Sequence, residues 1–300
     1  MKTNCRFFRK YIYILMIFLV VLSIYALGRY SIDSTVKEKE DILEFIKIAR
    51  GDGPSLLKVQ MTDADRHIVF DLLKAIDLVA KRLNISYFMW AGTLLGSYRN
   101  HDIIPWDDDI DLIFNFEDRF LLMEYLPKIK EILPETLIER ANMRIKVSDK
   151  RGVRYYTDDQ DFAYRWPFID IEFFQENATH IFTINDENTR VFDRSDIFPG
   201  HHRPLGNLWL SSPRNPVKVL KAYYDDLSVC STGRYSHKLE RFMRLVGDKA
   251  KCKSLLNVYP FVKRRLRKTS SRQQVEESLI ERDKLIHTVY VDETEYEQVI

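Results

Sequence analysis

The sequence predicts a mixed α/β fold in which helices cover a sheet of mixed strand direction. Apolar residues recur at helical spacing over 62–83, which indicates an amphipathic helix. Apolar and polar residues alternate at 109–114 and 168–174, which indicates strands. With 300 residues, of which 45% are hydrophobic and 30% charged, the chain is long enough for one sizeable core.

The N-terminal region has the pattern of a membrane anchor. Residues 11–27 form an apolar run without a charge, and four basic residues precede it. The positive-inside rule then predicts a cytosolic tail at 1–10, a signal anchor at 11–27 and a lumenal stem at 28–60. We expect a single-pass type II protein of the Golgi or endoplasmic reticulum membrane. A cleaved signal peptide is the alternative, because residues 26–28 resemble a cleavage site.

A lumenal location would allow two covalent modifications. Asn177-Ala178-Thr179 fits the glycosylation pattern in a predicted loop, whereas Asn84 lies where a helix should meet a strand. Cys230 and Cys252 are the only pair of cysteines beyond the apolar run. An oxidising compartment would let them form a disulfide, and two buried free thiols are the alternative.

The remaining elements are predicted in chain order from periodicity and helix-breaking residues. Thr62 is a plausible N-cap for the first helix, and an aromatic run at 86–91 suits a buried strand. A Gly-Thr turn then opens a short helix, and Pro105 interrupts the chain before the next strand. The later elements are a strand at 109–114, a helix at 117–133, strands at 144–147 and 153–156 around a turn, a strand at 168–174, a loop at 198–216 and a helix at 217–227.

The C-terminal residues 231–300 are predicted to form a helical or flexible extension. A basic run at 263–268 is followed by an acidic, weakly apolar tail. Charge blocks of this kind are typical of a solvated helix or a flexible end. The globular domain is therefore expected to span 61–230.

The most informative segment is IPWDDDIDLIF at 104–114, which has four carboxylates in five positions before large apolar residues. A strand that starts there directs Asp107, Asp109 and Asp111 to one face, while Asp108 faces away without an assigned role. A solvated acidic loop would need no buried strand after it. Three anionic donors repel each other unless a cation lies among them, and Mg²⁺ or Mn²⁺ fits oxygen ligands of this kind.

The acidic run is part of a larger pattern. Gly92-Thr93 begins a helix, an Asp-x-Asp pair lies on the next strand, and Asp170 lies on a later strand. This order resembles the nucleotidyltransferase superfamily typified by polymerase β. AGTLLGSYR at 91–99 followed by IPWDDDID at 104–111 resembles the LicD family, which includes bacterial phosphocholine transferases, fukutin and fukutin-related protein. The resemblance implies a polymerase β-like nucleotidyltransferase core.

The resemblance also implies the metal ligands. Asp109, Asp111 and Asp170 would hold one or two Mg²⁺ or Mn²⁺ ions, with Asp107 in the outer coordination. These three carboxylates are the predicted catalytic residues, and Asp170 is also the candidate general base for an acceptor hydroxyl.

The donor's phosphates would be bound next to these carboxylates. Backbone N–H groups of Gly92 and Thr93 at a helix N-terminus are suited to phosphate oxygens. Arg99 or Lys146 would complete this site. A surface ion pair for Arg99 and a solvated position for Lys146 are the alternatives.

The reaction implied by the resemblance moves phosphocholine, or a phospho-alditol such as ribitol phosphate, from a CDP-linked donor to a glycan hydroxyl and releases CMP. A Golgi nucleotide-sugar glycosyltransferase and a non-catalytic lumenal glycan-binding protein are the alternatives. We expect no nucleic-acid partner, because the net charge is only +2 and no basic stripe with interleaved aromatics is present.

Overall fold

The computed structural model describes residues 57–300 apart from 142, 158–159, 185–188, 234, 239, 243–248, 269–272 and 294. The predicted tail, the predicted anchor and nearly all of the predicted stem lie outside these residues. Within the described part of the chain, no helix has both the length and the apolar character needed to cross a membrane.

Helix α1 (Asp63–Leu83) confirms the first predicted helix and its cap. The Thr62 hydroxyl accepts a hydrogen bond from the Asp65 N–H, and the Asp65 carboxylate accepts one from the Thr62 N–H. This reciprocal capping box satisfies two backbone donors at the helix start. Asn84 ends the helix in the left-handed conformation, with its N–H directed at the last turn.

Seven strands form the central sheet, and their mixed direction confirms the predicted mixed α/β class. They are β1 (Tyr87–Met89), β2 (Ile110–Asn115), β3 (Thr136–Ala141), β4 (Arg144–Thr157), β5 (Gln160–Glu176), β6 (His180–Ile184) and β7 (Val191–Asp193). The order is β1-β2-β5-β4-β3, with β6 on β5 and β7 on β6. Strands β2 and β5 are parallel, and the other pairs are antiparallel.

Helix α2 (Ala91–Asn100) follows β1, as the Gly-Thr turn predicts. Two hydrogen bonds attach its first turn to β2. The Trp90 N–H donates to the Asp111 carbonyl, and the Asp111 N–H donates to the Thr93 hydroxyl. The N-terminus of α2 therefore lies beside the start of the acidic strand.

The helix predicted at 117–133 is wrong in its length. The structure has helix α3 (Arg119–Tyr125) between two 3₁₀ turns, Phe116–Asp118 and Leu126–Glu131. Pro127 lacks the N–H that an α-helix needs at this position, so the last segment tightens into 3₁₀ geometry.

The predicted turn between two strands at 144–156 is also wrong, because β4 runs continuously from Arg144 to Thr157. Its register with β5 is irregular between Ser148 and Val153, so the Lys-Arg-Gly segment forms a bulge. A Cβ on Gly152 would lie 2.5 Å from the Trp166 carbonyl oxygen. The glycine therefore permits a close approach of β4 to β5 and not a reversal of the chain.

Residues 198–216, predicted as a loop, contain a hairpin. It follows the short helix α4 (Arg194–Ile197) and consists of β8 (His201–Leu205) and β9 (Leu208–Ser212). Gly206 in its two-residue turn has φ +58°, which glycine adopts without steric cost. Helix α5 (Pro216–Lys221) follows and ends earlier than the predicted helix at 217–227.

The described residues beyond 231 form strands, so the predicted helical or flexible extension is wrong. Strand β10 (Val229–Ser231) lies just before this region. The strands that follow are β11 (Tyr235–Ser236), β12 (Arg241–Phe242), β13 (Lys249–Lys251), β14 (Phe261–Lys268), β15 (Gln273–Glu281) and β16 (Lys284–Val291). Strands β14, β15 and β16 form an antiparallel sheet. Residues 56–300 make one compact unit, without a boundary at 230.

Charge complementarity across β14 and β15 explains this difference. Within the basic run at 263–268, Arg264 and Arg265 lie in register with Glu277 and Glu276 of β15. The Arg264 Nε lies 2.7 Å from a Glu277 oxygen and the Arg265 Nε 2.6 Å from a Glu276 oxygen. Opposite charges on facing strands therefore stabilise a sheet where the charge blocks alone suggested a solvated segment.

A buried polar network connects this sheet to α2. Glu277 accepts hydrogen bonds from Arg203 at 2.8 and 2.9 Å, and it lies 2.8 Å from the His101 Nε2. Arg264 donates to the Tyr98 carbonyl. Because these side chains are almost fully buried, the C-terminal sheet is part of the domain core.

The two alternatives for the cysteines are decided by the structure, in which Cys230 and Cys252 form a disulfide. Both residues are fully buried, and their Cα atoms are 5.0 Å apart. The bridge links β10 to the 3₁₀ turn Cys252–Leu255 that follows β13. It therefore cross-links the segment that lies next to α2.

Candidate active site

A cleft of about 830 Å³ opens where β2, β4, β5 and the start of α2 meet residues 223–242. Its wall is rich in charge of both signs. The charged residues are Asp107, Asp109, Asp111, Asp170, Glu172, Asp226 and Glu240, together with Arg99, Arg144, Lys146, Arg190 and His237. Most of the residues singled out by the sequence pattern therefore border one cleft.

Asp109, Asp111 and Asp170 converge within this cleft. The parallel register of β2 and β5 places Asp111 directly opposite Asp170, and Asp109 comes just before β2. One carboxylate oxygen from each lies within 4.8 Å of the others. These are oxygen donors at the spacing that a hard divalent cation requires.

Burial and mutual repulsion raise the pKa values of Asp107, Asp109 and Asp111. Burial, followed by the charges of Glu172 and Asp170, raises the pKa of Asp111 to about 8. Burial and the neighbouring aspartates raise the pKa of Asp109 well above its usual value, and burial raises that of Asp107 to about 6. A cation among them would relieve this repulsion.

The burial and the hydrogen bonding of Asp170 also fit a bound cation. The residue is 1% exposed, and its Oδ1 accepts no hydrogen bond from the described residues. Lys146 donates to the other oxygen at 3.1 Å, and its Nζ lies 3.0 Å from Oδ1. A shielded carboxylate oxygen with incomplete hydrogen bonding is suited to a metal ion. This oxygen and the all-oxygen donor set of the cluster make Mg²⁺ or Mn²⁺ a chemically suitable ion for the site.

Lys146 is not the solvated side chain of the alternative interpretation. It is 9% exposed, bonded to Asp170 and located 3.6 Å from the Phe168 ring centroid. Arg144 on the same strand pairs with Glu172 at 2.8 Å. Both cations therefore balance acids on β5, and Lys146 holds the Asp170 carboxylate in place.

Gly92 and Thr93 shape the carboxylate cluster. A Cβ on Gly92 would lie 2.5 Å from the Asp107 Oδ2, so glycine makes room for this carboxylate. The Thr93 hydroxyl accepts the hydrogen bond from the Asp111 N–H at 2.8 Å. The first N–H groups of α2 lack partners within the helix and border the same cleft.

Arg99 is anchored inside the protein, so the predicted alternative of a surface ion pair is wrong. It is 2% exposed, its Nη1 donates to the Val229 carbonyl at 3.1 Å, and the same atom lies 3.6 Å from the Cys252 Sγ. Burial lowers its pKa to about 10. The guanidinium therefore connects α2 to β10 at the border of the cleft.

Asp108, which was predicted to face away without a role, is buried and holds a C-terminal segment at the cleft. Its Oδ2 accepts hydrogen bonds from the Ser236 hydroxyl and the Lys238 N–H, each at 3.0 Å. Its Oδ1 lies 3.0 Å from the His237 Nδ1. Burial favours the neutral carboxyl, but these hydrogen bonds prevail and lower the pKa of Asp108.

His237 is a residue of this site that the sequence pattern missed. Its Nε2 lies 3.1 Å from the Asp109 Oδ2. Burial opposes protonation, but Asp108 and the nearby carboxylates raise the pKa of His237. No sequence signal indicated His237, because a single histidine far beyond the acidic run does not form a motif of recognisable spacing with it.

Asn177, the predicted glycosylation residue, lies in the exposed turn between β5 and β6. Its side-chain oxygen accepts hydrogen bonds from the N–H groups of Thr179 and His180 at 2.9 and 2.8 Å. This arrangement is an Asx turn, which explains the asparagine by local geometry.

The sequence of the domain matches a known family. Residues 84–215 match the family model described as LicD/FKTN/FKRP, nucleotidyltransferase domain. An uncharacterized protein of Rickettsia prowazekii is 36% identical over 158 residues, which cover 53% of this chain and 54% of that protein. The lipopolysaccharide cholinephosphotransferase LicD of Haemophilus influenzae is 35% identical over 51 residues, 17% of this chain and 19% of that protein. The resemblance to LicD is thus confirmed, although the chain spans about half the length of the first relative and a fifth of the second.

Solved structures show a weaker likeness. The structure of ANT(2'')-Ia in complex with adenylyl-2''-tobramycin is 15% identical and covers 47% of this chain and 67% of that chain, with a TM-score of 0.29. A solution structure of the same factor has a TM-score of 0.30. TM-scores this low do not establish a shared fold, so the polymerase β-like core stays a prediction.

The predicted location in the Golgi or endoplasmic reticulum is wrong. The relatives belong to Rickettsia and Haemophilus, which are bacteria and have neither compartment. The location was inferred from residues 11–27, which lie outside the described residues. The glycosylation predicted at Asn177 depends on the same lumenal location, which the relatives do not support.

Proposed function

Because residues 84–215 match the family model described as LicD/FKTN/FKRP, nucleotidyltransferase domain, we propose that the protein is a metal-dependent transferase for a substituted phosphate group. The group is phosphocholine or a phospho-alditol such as ribitol phosphate, the donor is CDP-linked and the acceptor is a glycan hydroxyl. The observation that carries the proposal is the convergence of Asp109, Asp111 and Asp170 in one cleft.

Asp109, Asp111 and Asp170 would hold Mg²⁺ or Mn²⁺, with Asp107 beside them. The ion, when bound, neutralises negative charge on the phosphate oxygens of the donor. Lys146 keeps the Asp170 carboxylate in position through its 3.0 and 3.1 Å contacts. Gly92 leaves space for Asp107 on the same side of the cluster.

The donor's phosphates would lie against the start of α2. Gly92 borders the cleft in the first turn of α2, and the partial positive charge of a helix N-terminus favours anions. Arg99 borders this region, but its Nη1 donates to the Val229 carbonyl. We therefore assign Arg99 to the positive potential of the cleft and not to a fixed phosphate contact.

The transfer itself is a displacement at phosphorus. The acceptor hydroxyl oxygen attacks the phosphorus that carries the choline or alditol, and the bond from that phosphorus to the bridging oxygen of the CDP moiety breaks. CMP leaves with the bridging oxygen, and a phosphodiester forms. Asp170 would accept the proton of the hydroxyl, because it borders the cleft and lies opposite Asp111 in the register of β2 and β5.

The family match favours this reaction over the two alternatives. A nucleotide-sugar glycosyltransferase would release a nucleoside diphosphate, and the matched family model describes a nucleotidyltransferase domain. A non-catalytic glycan-binding protein would not need three carboxylates within 4.8 Å of one another, two of them buried, since their repulsion lowers stability.

The test is release of CMP from CDP-choline and CDP-ribitol by the purified protein with Mg²⁺ or Mn²⁺ and a panel of glycan acceptors. We expect acceptor-dependent CMP with one donor, and its loss in the Asp109→Ala/Asp111→Ala variant. Glu131→Ala, which removes an exposed acid outside the cleft, is the matched control and should retain activity. Release of a nucleoside diphosphate from sugar nucleotides, or full activity of the double variant, would contradict the proposal.

A further inference from the structure

His237 lies outside the part of the chain that matches the family model, yet it contacts the carboxylate cluster. The matched residues are 84–215, whereas His237 follows β11 in the C-terminal region. Its Nε2 lies 3.1 Å from the Asp109 Oδ2, and Asp109 is 8% exposed. The C-terminal region therefore contributes a nitrogen donor to the site.

The imidazole is held in one orientation by Asp108. One oxygen of this carboxylate is fixed by the Ser236 hydroxyl and the Lys238 N–H, each at 3.0 Å. The other lies 3.0 Å from the His237 Nδ1. Because a carboxylate is acceptor-only, the Nδ1 must carry the hydrogen and the Nε2 faces Asp109.

A proton or a metal ion must lie between the Nε2 and an oxygen of Asp109. If the Nε2 carried a lone pair, it would face an anionic oxygen at 3.1 Å, which is repulsive. Either a proton or a metal ion can lie between these two atoms. A carboxylate that orients a histidine from the far side is the usual arrangement around a metal-bound imidazole.

Asp109 belongs to two potential ligand groups. One is Asp109, Asp111 and Asp170, and the other is Asp108, Asp109 and His237. In each group the nearest donor atoms lie within 4.8 Å of one another. A carboxylate common to two adjacent groups is suited to bridging two cations, as in two-metal phosphoryl-transfer sites.

We propose that the His237 Nε2 and Asp109 bind a second divalent cation next to the one held by Asp109, Asp111 and Asp170, and that Asp108 is the positioning residue for His237. This inference rests on the proposed metal-dependent function and adds a nitrogen ligand to it. An imidazole favours Mn²⁺ or Zn²⁺ over Mg²⁺, whereas the all-oxygen group suits Mg²⁺. The two positions therefore differ in the metal that they select.

The experiment measures Mn²⁺ bound to the full-length protein without any substrate. Pulsed electron paramagnetic resonance detects the nuclear coupling of a nitrogen ligand to Mn²⁺, and a titration gives the affinity of each equivalent. The variants are His237→Gln and Asp108→Asn, and His202→Gln on an exposed histidine of β8 is the matched control. Thermal unfolding of each metal-free variant shows whether it folds.

We expect a nitrogen coupling in the wild-type protein and in His202→Gln, and its loss in His237→Gln together with one Mn²⁺ equivalent. Asp108→Asn should bind that equivalent about tenfold more weakly, since loss of an orienting partner costs at least this much affinity. The wild-type spectrum decides the proposal even if His237→Gln fails to fold.

Bound Mn²⁺ without any nitrogen coupling in the wild-type protein would overturn the inference, since His237 would then only form an ion pair with Asp108 and Asp109. The proposed function would stand in that case, because the oxygen site is filled. Absence of Mn²⁺ and Mg²⁺ binding in the wild-type protein would overturn both.

Discussion

Asp111 and Asp170 lie opposite each other in the parallel register of β2 and β5. Parallel neighbours present their side chains to the same face of the sheet, so two carboxylates are forced together in a buried place. Their repulsion lowers stability in the absence of a cation and provides the binding energy for one. We therefore expect the same pair to contribute to both the pH dependence of stability and the proposed metal binding of the domain.

Replacement of Asp111 by Asn should stabilise the metal-free protein at neutral pH. The pKa of Asp111 is raised from 3.8 to about 8, so the folded state holds its proton more tightly than the unfolded state does. Stability of the wild-type protein should fall as the pH rises from about 4 through 8 in a chelator. Asp111→Asn should show a smaller fall, because only Asp107 and Asp109 of this cluster then contribute to it, and it should be more stable than wild type by about 1 kcal/mol or more at pH 8.

Chemical unfolding from pH 4 to pH 8.5 with a chelator measures the difference in stability between Asp111→Asn and the wild-type protein. With added Mn²⁺ in place of the chelator, the wild-type protein should be the more stable of the two. The control is Asp283→Asn in the exposed turn between β15 and β16, which should change the unfolding free energy by less than about 0.5 kcal/mol. Equal pH profiles for the wild-type protein and Asp111→Asn would show that the carboxylate pair is not strained.

Gly92→Ala should reduce metal affinity more than it reduces stability. The new Cβ would lie 2.5 Å from the Asp107 Oδ2, so this carboxylate must move. Alanine at this helix position offsets part of the strain, because it favours the helix by about 1 kcal/mol over glycine. We expect an unfolding free energy within about 1 kcal/mol of wild type and weaker Mn²⁺ binding, measured by denaturant unfolding and by titration. Unchanged Mn²⁺ affinity would place Asp107 outside the coordination of the ion.

The two neighbouring ion pairs of β14 and β15 should differ greatly in their effect on stability. Glu277→Gln removes the buried counter-charge of Arg264 and one of the two buried counter-charges of Arg203, the other being Glu293, so it should destabilise the domain by about 3–5 kcal/mol. Arg265→Ala removes a pair whose arginine side chain is 75% exposed, and it should cost less than about 1 kcal/mol. Urea unfolding at pH 7 compares the two variants.

A pH titration adds a second check on Glu277. Burial alone would raise its pKa, but the arginines prevail and hold it well below the usual range. The contribution of Glu277 to stability should therefore be present at neutral pH and be lost as the pH falls below about 4.5. Equal loss of stability in Glu277→Gln and Arg265→Ala would contradict the assignment of β14 and β15 to the domain core.

The domain's central elements could be predicted from local patterns. Capping by Thr62, the period of α1 and the alternation around Asp111 and Asp170 are each visible within a few residues, because they reflect backbone geometry that repeats along the chain. The continuous β4 could not be predicted, since its Lys-Arg-Gly segment, which ends at Gly152, has the composition of a turn. Its role depends on the distance to Trp166 on another strand.

The family resemblance and the carboxylate motif were determined by the sequence alone, because ligand type and spacing are properties of a short segment. The contacts that complete the site were decided by the tertiary structure. Asp108 and His237 meet because the residues after β11 fold back onto the acidic run, and Arg264 is buried because Glu277 faces it across two strands. The charge pattern of a sequence shows which charged groups are present. Whether such a group is buried, and which residue it pairs with, depends on which distant segment packs against it.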